Sequence, residues 1–512
     1  MPRRVLAAGR GYMNGRHLAE MRALEPRLRA CPVSAQRNIE LGWLAWQSGR
    51  LPEAEEYLLV AAELDAPAAE RARAHLALSV LSNTQTRGDD GIRHANAALA
   101  LSAPDSPEAQ FATFVAVGAA GQAEGGVAGL DLLLSRYPDP WPTDALDVNL
   151  AWARGMQNYF AGRFAESARW LRLAEGVLRG ELSPLMGDRR AQSHVILAHC
   201  DYVLGNWDRA LVSAHSALDL AADESQLWIT PQAHAITAMI HAGRGDQVVA
   251  RRHIDQGTDV ARLVATADAI GMIACARAAL AEAGGDSRGV VEALAPLTHD
   301  GGTRLPPAHP LFFWPSLIAA RLDLGDLDGA RTELAALRAA ATRRRLDLAM
   351  QLHWLAARMT MMESDSSAAA TEFAAASNTE TPHHPILDRA ALRRSHAAFL
   401  RASGRRRSAH EQQAVARRLL TDAGAAAYLA ELDDSADTVI AAPAPDRRVT
   451  TLARLTDRES DVVTLAAEGR TNKEIAATLF VSVKAVEYHL GNSYAKLGIR
   501  GRRELRAVTA QH

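Results

Sequence analysis

Lysine is almost missing from this chain. Of 57 Lys and Arg in 512 residues only three are lysine, and Lys473, Lys484 and Lys496 all lie in one short stretch near the C-terminus. A GC-rich genome explains such a shortage but not its placement. The scarcity excludes a P-loop, in which Gly-Lys-Ser/Thr brings a lysine to the β- and γ-phosphates; here the lysines follow Asn472, Val483 and Ala495. The chain is therefore expected neither to bind nor to hydrolyse ATP by itself. Cysteine is scarce too, and Cys31, Cys200 and Cys275 lie too far apart in sequence for a zinc or redox spacing. No run of about eighteen apolar residues occurs, so no membrane span is expected. The apolar run in "MPRRVLAAGRGYMNGR" is about five residues, shorter than a signal peptide needs, which makes a cytoplasmic protein the expectation.

Catalytic patterns are missing as well. Neither G-x-S-x-G nor H-E-x-x-H occurs. His194 and His199 are five apart and do not share a helix face as i, i+4 metal ligands do, and His383 and His384 stand in a loop between prolines. The reading is a protein that is not an enzyme, with no catalytic, cofactor or metal site.

What remains is ordinary in bulk and uneven in distribution. Hydrophobic residues make up 48% and charged residues 23%, as in soluble globular proteins. At 512 residues the chain is too long for one hydrophobic core, so at least two folded units are expected. Residues 447–512 carry twelve Lys and Arg against seven Asp and Glu, a net +5, whereas the preceding residues carry −7. A small basic module following a large, mildly acidic one points to a nucleic-acid partner for the tail.

From residue 1 to about 432 the chain repeats one pattern: an apolar helical stretch, a tight turn, then an Ala-rich helix. The turns, as in "WQSGRLPEAEEYL" and "YVLGNWDRALVSA", fall at Gly49, Gly88, Gly162, Gly205, Gly245, Gly285, Gly325, Asp365 and Gly404, with a less regular one near Gly121. The period is close to forty residues, which predicts an α-solenoid whose helix pairs bury their apolar faces only by stacking. Nine tryptophans, Trp43 through Trp354, all lie here, where packing between helices rather than a ligand lining is expected. The pattern resembles tetratricopeptide repeats, most clearly in "LAWQSGRLPEAEEYLLVAAEL", although the usual period there is 34 residues.

"AAPAPDRR" marks a linker, placed at 433–450 with its acidic lead-in, and a compact unit follows over 451–512. "LTDRESDVVTLAAEG" opens with a capping box at Thr456 and Glu459, and "TNKEIAATLF" with another at Thr471 and Glu474. Ser482 caps a third helix running to about Leu497, and "GRRELRAVTA" supplies a last one. Four short helices with a tight "LFVS" turn between the second and third make a helix-turn-helix. On the third helix Val486, Leu490, Tyr494 and Leu497 share a buried face. Lys484, Glu487, Tyr488, Gly491 and Asn492 fall opposite, a face suited to the major groove of DNA.

The stretch from Leu455 to Leu505 resembles the LuxR-type DNA-binding domain, matching its L-T-x-R-E, N-K-E-I-A, V-x-x-H and K-L-x-[IV] signatures in order. That resemblance implies phosphate contacts from Thr471, Asn472, Lys473 and Lys496. It implies base contacts from Lys484, Glu487, Tyr488 and Asn492, with His489 near the backbone and a homodimer on two-fold DNA through the helix beginning near Arg502. Ala485 stands where the family commonly has Thr, which removes a hydroxyl contact. The whole looks like the C-terminal half of the large ATP-binding LuxR regulators without their ATPase domain: a short relative, or a chain whose start lies upstream. The expected function is an all-α transcriptional regulator whose solenoid binds a protein or small-molecule partner. The alternative is a signalling adaptor with a vestigial DNA-binding tail.

Overall fold

Alanine-rich helices joined by left-handed turns dictate the architecture of the N-terminal region. The computed structural model describes residues 2–15, 17–103, 106–139, 148–177, 190–223, 227–297, 310–437, 457–467, 469–479, 482–497 and 501–502. Among them are 26 α-helices, two short 3-10 helices and no strand. No helix among the described residues is long and apolar enough to cross a membrane.

After Pro2–Gly15 and Leu18–Arg29, ten helix pairs follow one another, from Ala35–Gln47 with Leu51–Glu63 to Ile386–Ala402 with Arg406–Ala423. Ala426–Asp437 closes the array, running five residues past Leu432. At seven of the ten turns a glycine takes φ between +71° and +89°. In the first of these the Gly49 N–H donates to the Trp46 carbonyl and the Arg50 N–H to the Ala45 carbonyl, both at 2.9 Å. This Schellman pairing satisfies the last carbonyls of the first helix while the chain reverses.

Three turns differ from the sequence expectation. Thr86, at φ +59°, is the left-handed residue before Gly88, and Gly88 instead begins the helix Gly88–Leu101. A Cβ there would lie 2.6 Å from the Ala123 nitrogen, so its glycine serves close helix approach. Gly121 lies inside Pro107–Glu124, and the turn comes at Gly125, φ +106°. At the ninth turn Ser364 is left-handed, φ +64°, while Asp365 caps the following helix by accepting the Ala368 N–H at 2.9 Å.

The first helices of successive pairs pack on one another and face the inside of a superhelix; the second helices form its outside. The superhelix comes round on itself about five pairs later. The turn at Gly49 faces Leu263 and Val264, Gly125 lies against Arg344, and Arg345 bonds Asp131 at 2.7 Å. Trp207 and Trp354 are buried packing residues, as expected. Trp43, Trp46, Trp152 and Trp228 differ: they line an interior cavity.

Candidate nucleic-acid interface

The helices Asp457–Ala467, Asn472–Thr478 and Val483–Leu497 form a separate small core of Val462, Val463, Ala466, Ile475, Ala476, Val486 and Leu490. Seven small aliphatic residues cannot hold three helices without well-made ends, and the ends are well made. Gly469, at φ +93°, stops the first helix, and the Arg470 N–H donates back to the Leu465 carbonyl at 3.2 Å. Thr471 and Glu474 form the capping box: the Thr471 N–H donates to the Glu474 carboxylate at 2.7 Å, and the Glu474 N–H to the Thr471 hydroxyl at 3.3 Å. The backbone bond holds the Glu474 carboxyl below its ordinary pKa. Ser482 accepts the Ala485 N–H at 3.2 Å and starts the third helix. Thr456, expected in the first capping box, lies outside the described residues, and Glu459 is buried.

The candidate contact residues fall on two helix starts and one helix face. Thr471 and Lys473 are exposed at the start of the second helix, and Ser482, Lys484 and Glu487 at the start of the third. Among the described residues neither Lys473 nor Lys484 has a carboxylate partner, so two cations stand ready for an external anion. Gly491 is exposed, and a Cβ there would meet nothing within 4 Å, leaving the surface one turn beyond Glu487 open to close approach. His489 is half-buried, and its carbonyl accepts the hydroxyl of buried Ser493 at 2.7 Å. Tyr488, Asn492 and Lys496 belong to the same helix, but their side chains lie outside the described ones.

Arg502 has a role that spacing alone did not indicate. Its guanidinium donates to the Asn472 side-chain oxygen at 2.9 Å, to the Ala466 carbonyl at 3.3 Å and to the Arg470 carbonyl. Those carbonyls close the first helix and lead into the second, so Arg502 orients Asn472 from behind. With its oxygen held this way, the Asn472 amide offers its N–H2 to a partner, the group that a phosphate accepts. The rest of the last helix lies outside the described residues.

Residues 453–509 match the family described as "Bacterial regulatory proteins, luxR family". The transcriptional regulatory protein YhcZ of Bacillus subtilis, itself uncharacterized, is 53% identical over 49 residues, 10% of this chain and 23% of that protein. The putative regulator Rv0890c of Mycobacterium tuberculosis is 53% identical over 51 residues, 6% of its length. The spore germination protein GerE of B. subtilis is 48% identical over 48 residues, 9% of this chain and 65% of that protein. The matched part thus spans less than a quarter of the first two of these relatives. Among solved structures, a Rap protein complexed with competence and sporulation factor covers 71% of this chain and 99% of its own at 14% identity and a TM-score of 0.49. The C-terminal module is a LuxR-type helix-turn-helix, and the N-terminal region is a helical-repeat solenoid.

Proposed function

We propose that the chain is a cytoplasmic, non-enzymatic transcriptional regulator whose C-terminal module binds duplex DNA and whose solenoid receives the signal. The observation that carries this reading is the pair of exposed lysines, Lys473 and Lys484, without a carboxylate partner among the described residues, at the starts of two helices of a LuxR-type helix-turn-helix. Thr471, Asn472, Lys473 and Lys496 hold phosphates, which position the module without reading sequence. Lys484, Glu487, Tyr488 and Asn492 face base edges: lysine suits guanine O6 and N7, glutamate the cytosine amino group, and asparagine adenine. Ser482 fixes the angle at which the third helix enters the groove, and His489 lies near the backbone.

Of these phosphate contacts only Lys473 and Lys496 are cationic, which gives a log–log salt slope of about −2 per module, too little for tight binding by one module at physiological salt. The module therefore acts as a homodimer on a two-fold site. Fluorescence anisotropy of the full chain on a labelled palindrome, between low and physiological salt, tests this. Affinity should fall steeply with salt, and a half-site should bind far more weakly than the palindrome. Salt-independent binding, or none, would leave the adaptor reading in its place.

A further inference from the structure

The inside of the first superhelical turn encloses a cavity of about 340 Å³, within the size range of small-molecule sites. Its walls come mainly from the first helices of successive pairs, which the curvature of the solenoid brings together. Aromatic rings dominate: Trp43, Trp46, Phe111, Phe114, Trp152 and Trp228 all line it, and Phe114 stacks on Trp152 at 5.8 Å between centroids.

Charge in this wall is already answered. Among the described residues Arg73 and Asp268 are its only Arg, Lys, Asp or Glu. Arg73 reaches Glu108 at 3.3 Å, and Asp268 accepts from the Gln232 amide. A charged ligand would lose its water here and find no free counter-charge, which is costly. Among the described residues five polar atoms of the same wall have no partner: the Trp46 indole nitrogen and the side-chain oxygens of Asn83, Gln122, Gln157 and Gln232. Gln122 has committed its nitrogen to the Asn83 carbonyl at 2.8 Å and Gln232 to Asp268. Flipping either amide would only exchange one orphan for another. A buried group left unpaired is costly, so the wall holds one donor and four acceptors that a guest could satisfy.

We propose that this cavity binds a neutral, ring-bearing small molecule that offers hydrogen-bond donors and an acceptor. The inference rests on the reading of the solenoid as the signal-receiving part and names the class of signal.

Gly118 supplies a clean test. It lines the cavity within the helix Pro107–Glu124, and a Cβ there would meet only the Asn83 amide nitrogen, at 3.6 Å. Gly118→Leu therefore grows into the cavity, while losing a mid-helix glycine favours the helix. Ala77→Leu fills the same space from the helix Ala68–Thr84. The full chain is titrated with N-phenyl-1-naphthylamine, a neutral amine that joins a phenyl and a naphthyl group through one N–H, and with its 8-sulfonate as the charged counterpart. Fluorescence should saturate at one neutral probe per chain, at least tenfold tighter than the sulfonate. Both filled variants should weaken it tenfold or more without lowering the melting temperature. No saturable binding, equal binding of the two probes, or undiminished binding by both folded variants would overturn the proposal. Anisotropy on labelled DNA with the same sample keeps the two readings apart, because intact salt-dependent DNA binding beside a silent cavity removes only this inference.

Discussion

The solenoid and the C-terminal module use cations in opposite ways. In the solenoid arginines hold carboxylates of the fold itself. Asp201, with 1% of its surface exposed, is bonded by Arg172 at 2.6 Å and Arg209 at 2.7 Å. Glu380 is held by Arg389 and Arg393, and Asp323 by Arg358 at 2.6 Å. Arginine suits this task because its planar fork meets several acceptors at once, whereas lysine is a mobile point charge. The module instead presents Lys473 and Lys484 outward, with no carboxylate partner among the described residues. The same formal charge is structural in one region and available to a ligand in the other, and net charge alone cannot tell these apart.

Removing the cations that serve structure should have the largest effect. The double variant Arg172→Ala, Arg209→Ala leaves the buried Asp201 carboxylate, among the described residues, with the Asn206 amide alone as its side-chain partner. Urea unfolding should show a loss of about 3–5 kcal/mol, the usual cost of stranding a buried charge. DNA affinity should stay near wild type as long as the protein is folded. A loss below 1 kcal/mol would mean that water reaches Asp201 and that the pairing is incidental.

Removing an outward cation should do the reverse. Lys473→Ala should leave the melting temperature unchanged, weaken all DNA sequences about tenfold at low salt and flatten the salt slope by about one unit. Lys484→Ala should instead change which sequences are preferred. Uniform loss across sequences for both variants would remove the division between phosphate and base contacts.

The contrast also marks how far the sequence could be read. The forty-residue period and seven of the turn glycines were legible, because a left-handed helix end selects for glycine directly. Gly88 misled because glycine is also chosen where two backbones approach closely, and the letter is the same in both cases. Ser364 and Thr86 were invisible, since neither residue type signals a positive φ. On the module, the three- and four-residue spacing separated buried Val486 and Leu490 from exposed Lys484 and Glu487. The bonds from Arg502 back to Ala466 and Arg470 depend on tertiary placement that no local pattern encodes. The aromatic cavity was hidden for the same reason: Trp43 and Trp152 belong to separate pairs and Trp228 to the 3-10 helix Leu227–Ile229, and they line one cavity only through superhelical curvature.

A turn glycine offers a smaller test of the repeat logic. Gly325 sits at φ +79° with open space around its missing Cβ, so Gly325→Ala incurs only the left-handed penalty, about 1 kcal/mol. Urea midpoints should shift by that amount with no change in DNA binding. No shift would mean that the turn relaxes to another conformation without loss.

The smallest expected effect concerns protons. Two histidine pairs bridge solenoid helices, His75 with His94 at 3.1 Å and His234 with His253 at 2.9 Å between Nδ1 atoms. Two neutral rings can share one N–H at that distance; two cations cannot. Burial first, and the neighbouring histidine second, lowers His94 to about 4 and His253 to about 4 from an ordinary 6.5. Between those values the unfolded chain binds more protons than the folded one, so the stability from these groups falls as pH falls from 6.5 towards 4. Glu40, Glu175 and Asp388 oppose this: burial raises each to about 7, and taking up a proton first in the folded state favours folding in acid. The wild-type profile is therefore a difference of two trends, and the histidine part is isolated by comparing it with His94→Gln, His253→Gln. Both rings are half-exposed, and solvent screening limits their combined share to about 1 kcal/mol by pH 5. Urea unfolding at pH 7.5 and pH 5 should show the double variant losing less stability than wild type by that amount. Equal losses would mean that the histidine pairs accept protons in the fold as readily as in the unfolded chain.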